Sequence, residues 1–174
     1  MKKLFSDSET FTKERPTKLT EKQSDQFYMD MTAEIVGNGY SDDDPEFIVE
    51  DLKGLSFSDS GYEMAKELEK WGSNAEYKID SQFIEFLEDL YSERQRRIGK
   101  NVKQWAEAHK PQPKFKKGDR LKITESLSHL NKAGQEIYIT GVRMEDATYL
   151  VWPTSDHNGG YVYPFERIEA SCSI

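Results

Sequence analysis

The chain has 174 residues, 36% of them hydrophobic and 32% charged, with a formal net charge of −8. That length suffices for one compact domain or two small ones, and the low apolar share implies modest cores beneath much solvated helix surface. No run of about 18 apolar residues is available to span a membrane, and a single cysteine, Cys172, excludes an internal disulfide.

Charge is segregated along the chain. Residues 1–90 carry 10 basic and 22 acidic side chains, residues 91–120 carry 10 and 3, and residues 121–174 carry 4 and 7. Such a layout creates a dipolar field whose faces steer different partners, although solvated helix faces are often acidic with no partner at all. After Lys2, Lys3, Leu4 and Phe5 the chain turns polar at Ser6 and Asp7, before any apolar signal core can form. A cytoplasmic setting is the expectation.

Residues 1–18 are polar, contain Pro16, and are expected to form a flexible lead-in. Thr20 and Gln23 have capping-box spacing, and Phe27, Met31 and Ile35 recur on one helical face. A helix is expected over 21–36, ended by Gly37 or Gly39 in the left-handed conformation. Asp42–Asp44 followed by Pro45 starts a second helix, with Ile48 and Leu52 as its stripe and Gly54 as its stop. Ser60 and Glu63 open a third, whose buried side is Met64, Leu68 and Trp71, with Gly72 as its stop.

The longest helix starts at Asp80 or Ser81 and runs to His109. Its apolar face comprises Phe83, Leu87, Leu90 and Tyr91, resumed by Ile98, Val102 and Trp105 after the charged run Glu93–Arg97. The later half is expected to pack on something other than the first core. Pro111 and Pro113 close the helix and place a domain boundary near 110–114.

Beyond the prolines the period shortens to two. Leu121 and Ile123 alternate with Lys122 and Thr124, and Ile137 and Ile139 with Tyr138 and Thr140. Gly141 suits a bulge. Tyr149–Trp152 and Tyr161–Tyr163 supply two more strands, and Pro164–Ile168 closes the chain. Short strands with frequent turn signals favour a small barrel or sandwich.

This tail, residues 114–170, resembles the SH3-like barrel group, which includes the Tudor and KOW types. Three features carry the resemblance: the opening Phe115-Lys116-Lys117-Gly118-Asp119, the central hairpin 135–144 and 147–152, and the ending Tyr161 to Ile168. The acidic RT loop and paired-aromatic strand of peptide-binding SH3 domains are missing, which argues against polyproline binding. The whole layout, with its short acidic helices and a basic helix feeding the tail, resembles small accessory proteins of large tailed bacteriophages. The expected fold is therefore α+β, with an acidic domain of about four helices over 19–110 and a small SH3-like β-barrel over 114–170.

Two sets of residues are candidates for binding. The basic strip Arg94, Arg96, Arg97, Lys100, Lys103, Lys116, Lys117 and Arg120, with Lys110 and Lys114 between, has the charge for phosphate contact. The same cations equally suit pairing with the chain's own acidic domain, or an acidic protein partner. The aromatic set Tyr149, Trp152, Tyr161 and Tyr163, with Tyr138 and Phe165, suits an exposed groove or cage for cations as well as ordinary core packing. Trp152 and Tyr161 are the better candidates for exposure.

His109, His129 and His157 have no zinc-ligand spacing, Asp42–Asp44 lacks a calcium-loop pattern, and no phosphate loop or nucleophile elbow is present. No enzyme, cofactor or metal is expected. The function implied is a non-catalytic interaction protein, a phage-encoded modulator of a host protein or nucleoprotein complex. The alternatives are nucleic-acid binding through residues 94–120 and the barrel, and mimicry of DNA by the acids from Asp42 to Glu69.

Overall fold

The computed structural model describes residues 14–57, 60–70, 74–127, 131–153 and 160–173. Trp71, Gly72, His129 and His157, most of the expected lead-in and most of the 153–160 loop lie outside them. The chain is α+β and divides into two compact units, Pro16–Asn101 and Val102–Ile174, the latter also holding Arg15.

The first unit contains α1 (Glu21–Gly37), α2 (Pro45–Gly54), α3 (Gly61–Lys70) and most of α4 (Ser81–His109). Each start is written in a local hydrogen bond. Thr20 and Gln23 form the expected reciprocal box, each side chain accepting from the other's backbone N–H. Asp44 accepts from Glu46 N at 2.9 Å, Ser60 from Glu63 N at 3.2 Å, and Asp80 from Gln82 N and Phe83 N at 3.0 Å each. Of the two glycines expected to end α1, Gly39 takes the left-handed conformation, at φ +68°. Phe27, Met31, Ile35, Ile48, Leu52, Met64, Leu68, Phe83, Leu87 and Leu90 are buried, as the periodicity anticipates, whereas Tyr91, expected on the same face of α4, is 46% exposed.

The second unit is built on an antiparallel sheet of β1 (Arg120–Ile123), β2 (Glu136–Arg143), β3 (Thr148–Trp152), β4 (Tyr161–Pro164) and the two-residue β5 (Cys172–Ser173), in the order β4-β3-β2-β1-β5. The β2–β3 register slips between Ile139 and Gly141, so the expected bulge is present. Leu121, Ile123, Ile137, Ile139 and Val151 join Trp105 and Ala106 of α4 in its core.

Three expectations change. The sheet is open: β4 and β5 are its edges, and among the described residues no ladder joins them into a closed barrel. The stretch after Pro164 is not a simple closing turn but α5 (Phe165–Ser171). Phe165 and Ile168 are both buried, and residues three apart share a face on a helix but not on a strand. The units also divide inside α4 and not at the prolines, because Trp105 and Ala106 belong to the sheet's core. Within the expected lead-in, Arg15 is anchored, donating to the carbonyls of Asp146 and Ala147 at 2.8 and 3.1 Å.

Candidate interaction surfaces

Glu93 organises the basic run of α4. It lies three and four residues before Arg96 and Arg97, the spacing at which side chains meet on a helix. Arg96 donates two hydrogen bonds to its carboxylate, at 2.6 and 2.7 Å, and Arg97 Nε donates a third at 2.8 Å. The Arg97 guanidinium also reaches Asp30 of α1 at 2.8 Å and lies over the Phe27 ring. Hydrogen bonds from Arg96 and then Arg97 lower the Glu93 carboxyl to about 2. Arg94 lies over the Phe57 ring, 5.4 Å from its centroid.

These three arginines of the strip are therefore occupied within the helical unit. Lys100 is exposed on the same helix, and Lys103 is exposed where α4 belongs to the sheet unit. Arg120 is paired with Glu136 across the β1–β2 ladder. The basic strip is thus contiguous in sequence but not a single array of free cations.

Lys116 and Lys117 stand on a tight turn that explains the Gly-Asp opening. Gly118 has φ +96°, which favours glycine, and Asp119 accepts from Lys116 N at 2.9 Å through its side chain. The turn joins β2 through Gly118 N donating to Ile139 O at 2.7 Å and Ile139 N donating to Asp119 O at 2.9 Å. Both lysines are exposed.

The aromatic set splits. Tyr149 and Tyr163 face each other across β3–β4 and are buried, so they are core residues and not the exposed ring surface considered above. Their hydroxyls are used inside: Phe115 N donates to Tyr149 at 3.1 Å, and Asn131 Nδ2 to Tyr163 at 2.8 Å. Trp152 and Tyr161 are half-buried and stacked, with centroids 5.0 Å apart and planes at 20°. Gly160 permits this edge to close up, since a Cβ there would lie 2.6 Å from Val151 O. Half-buried Tyr138 is the register partner of Trp152.

No family model, curated protein or solved structure matches the chain.

Two of the acidic candidates, Asp51 and Asp43, hold the segment after α3. Asp51 accepts from Asn74 N, Ala75 N and the Tyr77 hydroxyl, at 3.0, 3.2 and 3.0 Å, and Asp43 accepts from Glu76 N. Burial and then the Asp51 charge hold the Tyr77 phenol protonated, far above its usual range. Among the described residues, no group of three or more His, Cys, Asp or Glu side chains is placed to hold a metal ion. No helix among them is long and apolar enough to cross a membrane. Glu93 and Asp30, the partners of these arginines, differ in how far the sequence points to them. The spacing of Glu93 from Arg96 and Arg97 was a usable signal, whereas nothing local points to Asp30.

Proposed function

We propose that this chain is a non-catalytic interaction protein that binds a protein partner, with a helical acidic unit and an SH3-like sheet unit. The observation that carries the reading is the closure of Arg96 and Arg97 onto Glu93 and Asp30. Arg97, 24% exposed and held by both Asp30 and Glu93, serves the fold and offers little to phosphate, whereas Arg96 pairs with Glu93 at the surface with its side chain 70% exposed. The first three helices expose acids together with Met29, Val36, Phe47 and Tyr62, while Lys100, Lys103, Lys116 and Lys117 remain exposed beyond the Glu93 network. Such surfaces suit a protein better than a nucleic acid. The groups with displaced titration support the same reading, since Glu93 and Tyr77 are each held by structural hydrogen bonds.

The SH3-like reading is supported by the strand order, a four-strand meander whose first strand takes β5 on its free side, and by the short helix that precedes β5. The resemblance to phage accessory proteins makes a host protein or nucleoprotein complex in a bacterial cytoplasm the proposed target. The test is affinity purification from bacterial lysate with and without nuclease. A partner retained after nuclease treatment supports the reading, and one that leaves with the nucleic acid refutes it.

Nucleic-acid binding is kept as a second reading on a specific observation, the exposed Lys116 and Lys117 in the unit that also carries the Trp152–Tyr161 stack. Its test belongs at those lysines. Charge reversal at Arg96 or Arg97 would break the Glu93 network and confuse unfolding with lost binding. K116E/K117E should abolish a salt-dependent affinity for single-stranded DNA if this reading holds. Unchanged affinity removes it.

A further inference from the structure

The sheet carries apolar side chains on both faces. Ile137, Ile139, Tyr149 and Tyr163 enter the core, and alternate residues of a strand point to opposite sides. Tyr138, Leu150, Trp152 and Val162 therefore stand on the far face, and none of them belongs to that core. Register brings them together: Tyr138 is opposite Trp152, and Leu150 is opposite both Gly141 and Val162. Gly141 leaves the space that Leu150 fills, since a Cβ there would stand 2.9 Å from Leu150 Cδ1. Val162 is 49% exposed, and the other three are half-buried.

Cations border this face on the β1 side. Arg120 is opposite Tyr138, and Lys122, two residues on, is exposed on the same side of the strand. Glu136, the register partner of Lys122, is taken up by Arg120. Exposed Lys116 and Lys117 stand in the turn that enters β1, which Gly118 N ties to β2 at Ile139 O. Residues 110–122 hold six basic side chains and one acid, Asp119, which accepts from Lys116 N. β3 and β4 hold no charged residue. The far face thus grades from cations at β1, through two rings, to an aliphatic pair at β4.

We propose that this far face is a docking site for an acidic amphipathic helix of a protein partner. The inference rests on the protein-binding reading above and names the surface and the partner's chemistry. A sheet face that carries apolar side chains is stabilised by a layer packed on it, and a helix with one apolar stripe supplies such a layer. Apolar side chains of that helix bury against Leu150, Trp152 and Val162, while its carboxylates reach Lys122 and the 116–117 turn. Single-stranded nucleic acid would use the same lysines and stack on aromatic rings. The Leu150–Val162 pair offers a base no ring, whereas aliphatic side chains match it, and this favours protein.

The full-length chain is titrated by calorimetry with a synthetic leucine–glutamate peptide whose leucines fall at helical spacing. An isomer of identical composition with dispersed leucines serves as control. The amphipathic peptide should bind about tenfold or more tightly than its isomer. About half of the Val162 surface is left to bury, so V162Q should lose about fivefold in affinity. K116Q/K117Q/K122Q should lose about tenfold and weaken the salt dependence. All four side chains are exposed, so both variants should keep their fold, which circular dichroism checks.

Equal affinity for the two peptides, or for wild type and V162Q, overturns the proposal, since charge alone would then act. Affinity unmoved by K116Q/K117Q/K122Q overturns it too, because the partner need not be acidic. An oligothymidylate that competes for the face and binds more tightly than the peptide assigns it to nucleic acid instead. Dimerisation abolished by V162Q assigns it to a second copy, with the same consequence. The two readings fail separately. A lysate partner lost on nuclease treatment sinks the protein-binding reading. A nuclease-resistant partner held equally by wild type, V162Q and K116Q/K117Q/K122Q sinks only the docking face.

Discussion

Alanine at Gly61 probes the closest approach between α3 and α4. An ideal Cβ there would stand 2.4 Å from the carbonyl oxygen of Ile84 and 2.8 Å from Glu88 N, both backbone atoms of α4. Two effects oppose each other. Alanine is favoured over glycine inside a helix by about 0.5–1 kcal/mol, while forcing a methyl into a filled space costs about 1–3 kcal/mol. Backbone atoms cannot rotate aside as a side chain can, so the clash wins and Gly61→Ala should destabilise the helical unit by about 1–2 kcal/mol.

Gly99 provides the control. It lies within α4 in the same unit, and its Cβ would meet nothing within 4 Å. Only propensity acts there, so Gly99→Ala should stabilise by about 0.5–1 kcal/mol. Urea denaturation followed by far-UV circular dichroism compares the two midpoints with wild type. Opposite signs are expected. A Gly61→Ala protein as stable as wild type, beside a stabilised Gly99→Ala, would refute the close helix contact.

Three further outcomes follow from the hydrogen bonds. Glu93 has a folded-state pKa lowered to about 2, so its contribution is present above the unfolded carboxylate value of about 4.3 and is lost as pH falls toward 2. Glu93→Gln should cost about 1 kcal/mol at neutral pH and should flatten the urea midpoint across that acid window; an unchanged pH dependence would contradict the assignment. Asp51→Ala leaves two backbone N–H groups and the Tyr77 hydroxyl without their shared acceptor, which should cost about 1–3 kcal/mol by urea unfolding. Tyr149→Phe removes the buried acceptor of Phe115 N and should cost about 1 kcal/mol in an unfolding transition followed by tryptophan fluorescence.

Sheet pairing explains why the aromatic candidates were hard to separate in advance. Tyr149 and Trp152 lie three apart on β3 and so face opposite sides of the strand. The pairing of β3 with β2 and β4 then buries Tyr149 with Tyr163 and leaves Trp152 half-buried. Composition alone does not separate these rings, and alternation does so only once the inward face is known. The basic strip shows the same limit. Ten cations and three acids over residues 91–120 read as a cationic patch, yet one of those acids, with Asp30 from another helix, satisfies two of the arginines.

Local rules written in the sequence determined the helix starts at Thr20, Asp44, Ser60 and Asp80, the Gly141 bulge, and the change from helical to alternating period after Pro111 and Pro113. Each depends on groups within about four residues of one another, where backbone geometry alone decides who meets. Tertiary structure decided the open sheet edge, the helix at Phe165, the division inside α4 and the pairing of Arg97 with Asp30. Those outcomes depend on which distant surfaces exclude water together, and a linear pattern carries no record of that distance.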